Sequence, residues 1–192
     1  MSASDPAAIV VGGSAGAVEA LGAILPKLPR EYPLPVIVVV HLPPSRKSML
    51  AELFQSKCHI RVVEAEDKEP ICAGTVYFAP PGYHLLVERD ARLSLSSDEL
   101  VNYSRPSIDV LFESACDAYG RGLVGLVLTG ANDDGARGLA AIVRGGGAAI
   151  VQRPETAYAS AMPLAAKKAC PSALCLELDQ AADYLLALAE GR

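Results

Sequence analysis

The stretch AIVVGGSAGAVEAL (residues 8–21) runs from four apolar residues through Gly12-Gly13-Ser14-Ala15-Gly16 into apolar residues at helical spacing. A buried strand that ends in glycines and opens a helix is the first half of a βα unit. Such a turn admits two chemistries. Its unpaired N–H groups suit a phosphate on the helix N-terminus, and its sharpness suits a nucleophilic serine held clear of the backbone. The residues fit G-x-S-x-G and do not fit G-x-G-x-x-G. The next strong strand ends in His41, where a dinucleotide fold places an acid for the ribose, and no Walker-type lysine follows the glycines.

Outward from this unit the pattern repeats. PVIVVVH (35–41) is a continuous aliphatic run of the kind found in parallel strands covered on both faces. GLVGLVLTG and GGAAIVQ read as two more buried strands, and LCLEL as a short one. Helices are expected over residues 15–28, from an N-cap at Ser45 to about Gln55, from Pro106 to Gly120, after ANDDGARG to about Arg144, over SAMPLAAKKA, and over DQAADYLLALAE. Alternating segments around RDAR in TVYFAPPGYHLLVERDARLSLS suggest an antiparallel hairpin. Strands alternating with helices specify an α/β fold. The expected form is three layers, a mostly parallel doubly wound sheet with helices on both faces and one antiparallel β-hairpin. Residues 1–192 show no repeat or linker and read as one domain.

Composition narrows the function. Hydrophobic residues at 51% permit a full core, and a net charge of −5 gives no general footprint for nucleic acid. No apolar run reaches the ~18–20 residues that span a bilayer, and the N-terminus lacks a basic leader, so a cytoplasmic protein without membrane insertion is expected. The five cysteines (58, 72, 116, 170 and 175) form no C-x-x-C pair, and three histidines are poor material for a zinc site. They read as buried free thiols; neither metal nor organic cofactor is expected.

In open α/β sheets, sites form beyond the carboxyl ends of the strands. Ser14, His41 and Asp134 each follow a strand there, and serine, histidine and aspartate are the residue types of a hydrolytic triad. Each also has a plainer reading: Ser14 as a helix cap, His41 as a satisfied strand-end histidine, Asp133 or Asp134 as the cap of the next helix.

The segments VVGGSAGAVEAL, VVVHLPP, VEAED, VYFAPPGYHL, RPSIDVLF, GLVLTGANDDGARGL and ETAYASAMP, in this order from about residue 8 to 170, resemble the catalytic domain of the CheB-type chemotaxis receptor methylesterases. The resemblance implies a protein-glutamate methylesterase that hydrolyses γ-glutamyl methyl esters on receptor helices and also deamidates receptor glutamines. It carries the nucleophile to Ser14, the histidine to His41 and the aspartate to Asp134, with Asp133 the fallback. Backbone N–H groups around Ala15, and by resemblance Ala131, would meet the oxyanion. The expected partner is a methylated receptor, an acidic helical protein, together with a separate receiver or regulatory protein, since two-domain members carry a receiver and none is read in residues 1–192.

Two loops depart from the family pattern. Ser14-Ala15-Gly16-Ala17 stands where Ser-Thr-Gly-Gly is common, and Gly130-Ala131-Asn132-Asp133-Asp134 where Gly-Met-Gly-Asn-Asp is common. Both lie beside the oxyanion position and spare the triad. Arg105 and Arg46–Lys47 read either as contacts to an acidic receptor helix or as solvated charge. Tyr77, Phe78 and Pro80–Pro81 read as cleft border or packing, and His84 is given no chemistry. The alternatives are a stand-alone serine hydrolase of another ester or amide and a non-catalytic receptor-binding module.

Overall fold

The computed structural model describes residues 6–41 and 48–190. Seven strands form one parallel sheet in the order β3-β4-β2-β1-β7-β8-β9: β1 (Ala8–Gly13), β2 (Val36–Val40), β3 (Arg61–Glu64), β4 (Thr75–Phe78), β7 (Leu123–Val127), β8 (Ala148–Gln152) and β9 (Leu174–Leu176). β5 (His84–Val87) and β6 (Leu93–Ser96) make a separate antiparallel hairpin. The three-layer α/β architecture with its hairpin is the one the sequence specifies.

The aliphatic runs show why. Along β1, Ile9 and Val11 belong to one core cluster, and Ala8 and Val10 to the other, so a strand apolar at every position is buried on both sides. The first cluster lies under α1 (Ala17–Ile24), α2 (Leu50–Gln55) and α6 (Leu178–Glu190). The second lies under α3 (Ile108–Tyr119), α4 (Ala136–Arg144), α5 (Ala161–Ala169) and the hairpin. Among the described residues no helix is long and apolar enough to cross a membrane.

Several local expectations are corrected. The helix expected over 15–28 stops at Ile24, and Leu25–Lys27 form a 3₁₀ turn around Pro26, a residue without the N–H that α-helical bonding needs. Tyr77 and Phe78 are packing rather than cleft border: both are 1% exposed on opposite faces of β4. Cys58 and Cys170 are buried thiols, whereas Cys72 is exposed. Ser45, Arg46 and Lys47 lie outside the described residues.

The central pairing sets up the site. β1 is flanked by β2, paired from Ile9–Val36 to Gly13–Val40, and by β7, paired from Ala8–Leu123 to Gly12–Val127. From β1 the chain winds to one side through β2 and to the other through β7, which makes their carboxyl ends the topological switch point. Ser14, His41 and the loop holding Asp134 all emerge there.

Candidate active site

The turn after β1 is clamped by the end of β7. Ser14 N–H donates to Thr129 O at 2.9 Å, and Thr129 Oγ1 donates to Ala15 O at 2.8 Å. Gly16, the N-cap of α1, has φ 81° in the left-handed region, and a Cβ there would come 2.6 Å from Tyr158 Cβ. Only glycine makes this turn against that ring. Ala17 N–H bonds to the backbone carbonyl of Ser14, so the Ser14 side chain does not cap the helix. Its Oγ has no hydrogen-bond partner among the described residues, and neither has the Ala15 N–H. A free hydroxyl thus sits beside an unpaired N–H at the positive end of a helix.

His41 follows β2 in register with this turn, its N–H donating to Gly13 O at 3.1 Å. Its side chain is 12% exposed, and its Nε2 lies 2.8 Å from Asp134 Oδ2. The other ring nitrogen, Nδ1, is 3.5 Å from the Asn132 amide nitrogen. With Nε2 held by the carboxylate, Nδ1 is the nitrogen left for a proton from Ser14. The structure therefore brings His41 and Asp134 into direct contact and sets Ser14 beside them by strand register, without a Ser14–His41 hydrogen bond.

Asp134 is fully buried. Besides His41 it accepts from Ile108 N–H at 2.7 Å on Oδ2, and on Oδ1 from Asn102 Nδ2 at 2.8 Å, Ser107 Oγ at 2.9 Å and Asp109 N–H at 3.1 Å. Burial pushes its carboxyl up, but the bonds from His41, Ile108, Asn102 and Asp109 together outweigh burial and hold it below its ordinary value. The residue is a carboxylate at neutral pH, as a partner for an imidazolium must be. Asp133, by contrast, is exposed, and among the described residues no hydrogen bond involves its side chain.

The plainer reading of Asp134 as cap of the following helix is corrected in an instructive way. Gly135, at φ 95°, is the N-cap of α4 and offers no side chain, while Asp134 caps α3 through Ile108 and Asp109 N–H. In exchange Asp109, in the first turn of α3, caps α4: its Oδ1 accepts from Gly135 N–H at 3.0 Å and Gly138 N–H at 2.7 Å. Each helix thus receives its cap from the aspartate belonging to the other, and both carboxylates lie at positive helix ends. Burial raises the Asp109 carboxyl, with the Asp134 charge adding, against the bonds from Gly138 and Asn102 and the Arg137 guanidinium 3.7 Å away.

Two supporting histidine and arginine contacts complete the wall. His84, 2% exposed, accepts from Ser107 N–H on Nδ1 at 3.1 Å and donates from Nε2 to Glu99 O at 2.9 Å, which pins the start of α3. Arg105 is half-buried and anchored: its guanidinium donates to Ser97 O at 2.7 Å and Asp98 O at 2.8 Å, and its Nε is buried. A cleft of about 210 Å³ opens over His41, walled by Leu100, Tyr103 and Arg105. A groove of about 520 Å³ runs along Ala15, Gly16, Glu19 and Tyr158. Tyr103, 98% exposed, borders the cleft, and Tyr158, 85% exposed, borders the groove. Ala131 is exposed, and its N–H has no acceptor among the described residues. Among the described residues no group of histidine, cysteine and carboxylate side chains is arranged to hold a metal.

Sequence reasoning missed Thr129, Asn102, Ser107 and Asp109. Asp109 carried a readable signal, since it shares the buried face of α3 with Ile108, Leu111 and Phe112. An acid on an apolar helix face must find partners.

Comparison with known proteins places the chain in a family. The family model described as CheB methylesterase matches residues 9–185. A Leptospira interrogans protein is 45% identical over 181 residues, covering 94% of each chain. An Archaeoglobus fulgidus protein-glutamate methylesterase/protein-glutamine glutaminase is 42% identical over 161 residues, covering 82% of this chain and 46% of its own length. The crystal structure of the Thermotoga maritima CheB methylesterase catalytic domain superposes with a TM-score of 0.91 at 29% identity, over 96% of this chain and 100% of the other. With the fold and these matches in agreement, the chain belongs to the CheB methylesterase family.

Proposed function

We propose that the protein hydrolyses γ-glutamyl methyl esters on chemotaxis receptors, and deamidates receptor glutamines, through a triad of Ser14, His41 and Asp134. The observation that carries this reading is the 2.8 Å contact of His41 Nε2 with a fully buried, five-fold hydrogen-bonded carboxylate beside an unengaged serine hydroxyl. Its chemistry is general-base-assisted nucleophilic attack.

In this reading His41 Nδ1 takes the hydroxyl proton as Ser14 Oγ attacks the ester carbonyl. Asp134 holds the ring and stabilises the imidazolium. The N–H groups of Ala15 and Ala131 receive the oxyanion; one such donor is worth roughly 3–4 kcal/mol in the transition state. Collapse expels methanol, which takes the proton from His41, and leaves an acyl-serine. Water attacks the acyl group with the same histidine as base and returns Ser14 and a glutamate carboxylate. With a glutamine side chain the leaving group is ammonia and the product is the same. Tyr103 and Tyr158 would border a receptor helix laid across the turn.

The test is methanol release from radiolabelled methylated receptor by wild type and Ser14→Ala. Release that falls on the order of a millionfold in the folded variant supports the triad. Equal release by the two proteins removes Ser14 from the mechanism, and no release by folded wild type overturns the receptor reading in favour of another ester or a binding role.

A further inference from the structure

Val101 and Ser104 exchange backbone hydrogen bonds of 3.2 and 3.0 Å across a two-residue turn. Its central residues, Asn102 and Tyr103, both have positive φ, 51° and 60°. A turn of this hand normally takes glycine at one central position, and here it takes a tyrosine. Asparagine tolerates the left-handed region, so Asn102 suits its own backbone. What the backbone does not explain is where the Asn102 side chain goes.

Asn102 Nδ2 donates to Asp134 Oδ1 at 2.8 Å and to Asp109 Oδ2 at 2.9 Å. The amide has two hydrogens and spends one on each buried carboxylate. We infer that Asn102 is a positioning residue of the catalytic centre, acting through Asp134: its amide bridges two like charges and keeps the Asp134 carboxylate ionised and in place beside His41. This rests on the hydrolase reading of the site. The side chains facing Asp134 are His41 from the end of β2, Ser107 and Asp109 at the start of α3 and Asn102 from the turn, while Arg137 of α4 lies 3.7 Å from Asp109 and is itself paired with Glu113 at 2.7 Å. Among these, Asn102 alone touches both carboxylates by side-chain donation.

The sign of its effect follows from charge. A donor to Asp134 spreads the carboxylate's charge, so it lowers the proton affinity of Asp134. The active form needs Asp134 ionised and His41 free of its second proton. Loss of the Asn102 amide raises that affinity, which moves the acid limb of the rate profile to higher pH.

The test uses the rate at which a small alkyl fluorophosphonate labels Ser14, measured against pH, which needs no receptor. Asn102→Gly keeps the left-handed turn and deletes the amide. Asn102→Asp keeps the shape and replaces the donor by a third carboxyl; thermal unfolding verifies the fold of each. Asn102→Gly is expected to label about 10- to 100-fold more slowly, the range for one lost hydrogen bond to a charged group, with its acid limb moved up in pH. In Asn102→Asp the introduced carboxyl donates to Asp134 while protonated, so its rate falls as that proton leaves, giving an alkaline limb absent from wild type. If Asn102→Gly does not fold, that alkaline limb alone decides. Wild-type rate and limbs in both variants overturn the inference, as does a uniform slowing at every pH, which is the mark of a merely structural role. Wild type that does not label at all overturns the hydrolase reading itself, a different failure from either.

Discussion

Asp134→Asn is expected to destabilise the fold as well as the reaction. In a triad whose aspartate serves only the histidine, this near-isosteric change leaves stability almost untouched. Here both carboxylate oxygens are committed. Oδ1 accepts from Asn102, Ser107 and Asp109, and Oδ2 from His41 and Ile108. Whichever way the new amide turns, its NH₂ group faces at least two donors, in a site with no solvent exposure. Two hydrogen bonds to a charged group, at about 1.5–3 kcal/mol each, give a loss of roughly 3–6 kcal/mol. That is a large share of the about 5–15 kcal/mol that holds a domain together. With a urea slope of about 2–3 kcal/mol/M, the unfolding midpoint should fall by roughly 1–3 M. His41→Ala is the control: it removes one donor and leaves Asp134 four, so its midpoint should fall far less although turnover is equally lost. Asp134→Asn unfolding at the wild-type midpoint, or no lower than His41→Ala, would refute the double role assigned to this carboxylate.

Two further outcomes follow from the same region. The Asp134 carboxyl is held below its ordinary value of 3.8, so the unfolded chain takes up the proton first as pH falls. Its stabilising contribution is therefore complete above about pH 4 and is lost as pH drops through the lower folded value; urea titrations should show that loss in wild type and not in Asp134→Asn. Asp109, raised by burial, has the opposite sign, and its penalty grows as pH rises through its folded value. Tyr103→Gly relieves a left-handed tyrosine that is 98% exposed, so stability should hold or rise by up to about 1 kcal/mol. Loss of an aromatic contact worth about 0.5–1.5 kcal/mol should raise KM for methylated receptor roughly two- to tenfold. A lower melting temperature with unchanged KM would contradict both parts.

The sheet was legible because burial on both faces leaves a plain mark: Val36–Val40 is aliphatic at every position, and no amphipathic helix has that pattern. The ends of α3 were legible from Pro106 and Gly120, whose backbone constraints act locally. Ser14, His41 and Asp134 could be picked out because each follows a recognisable strand. The capping of α3 and α4 could not, because Asp134 and Asp109 reach across 25 or more positions to helices they do not precede or begin. Local rules assign a cap to the nearest helix start, and here the nearest residue was a left-handed glycine. Asn102 was hidden for the same reason: nothing beside it in sequence says that two carboxylates lie beneath.

The exchanged caps bear on which partly opened forms of the molecule can react. Hydrogen exchange and proteolysis sample openings in which one unit loosens while the rest stays folded. Any opening that parts α3 from α4 strips Asp134 of its Ile108 and Asp109 donors and Asp109 of its Gly135 and Gly138 donors in the same motion. The histidine then has no fixed carboxylate to lean on. On the proposed triad, a nicked or half-unravelled copy would fall silent before it lost its sheet.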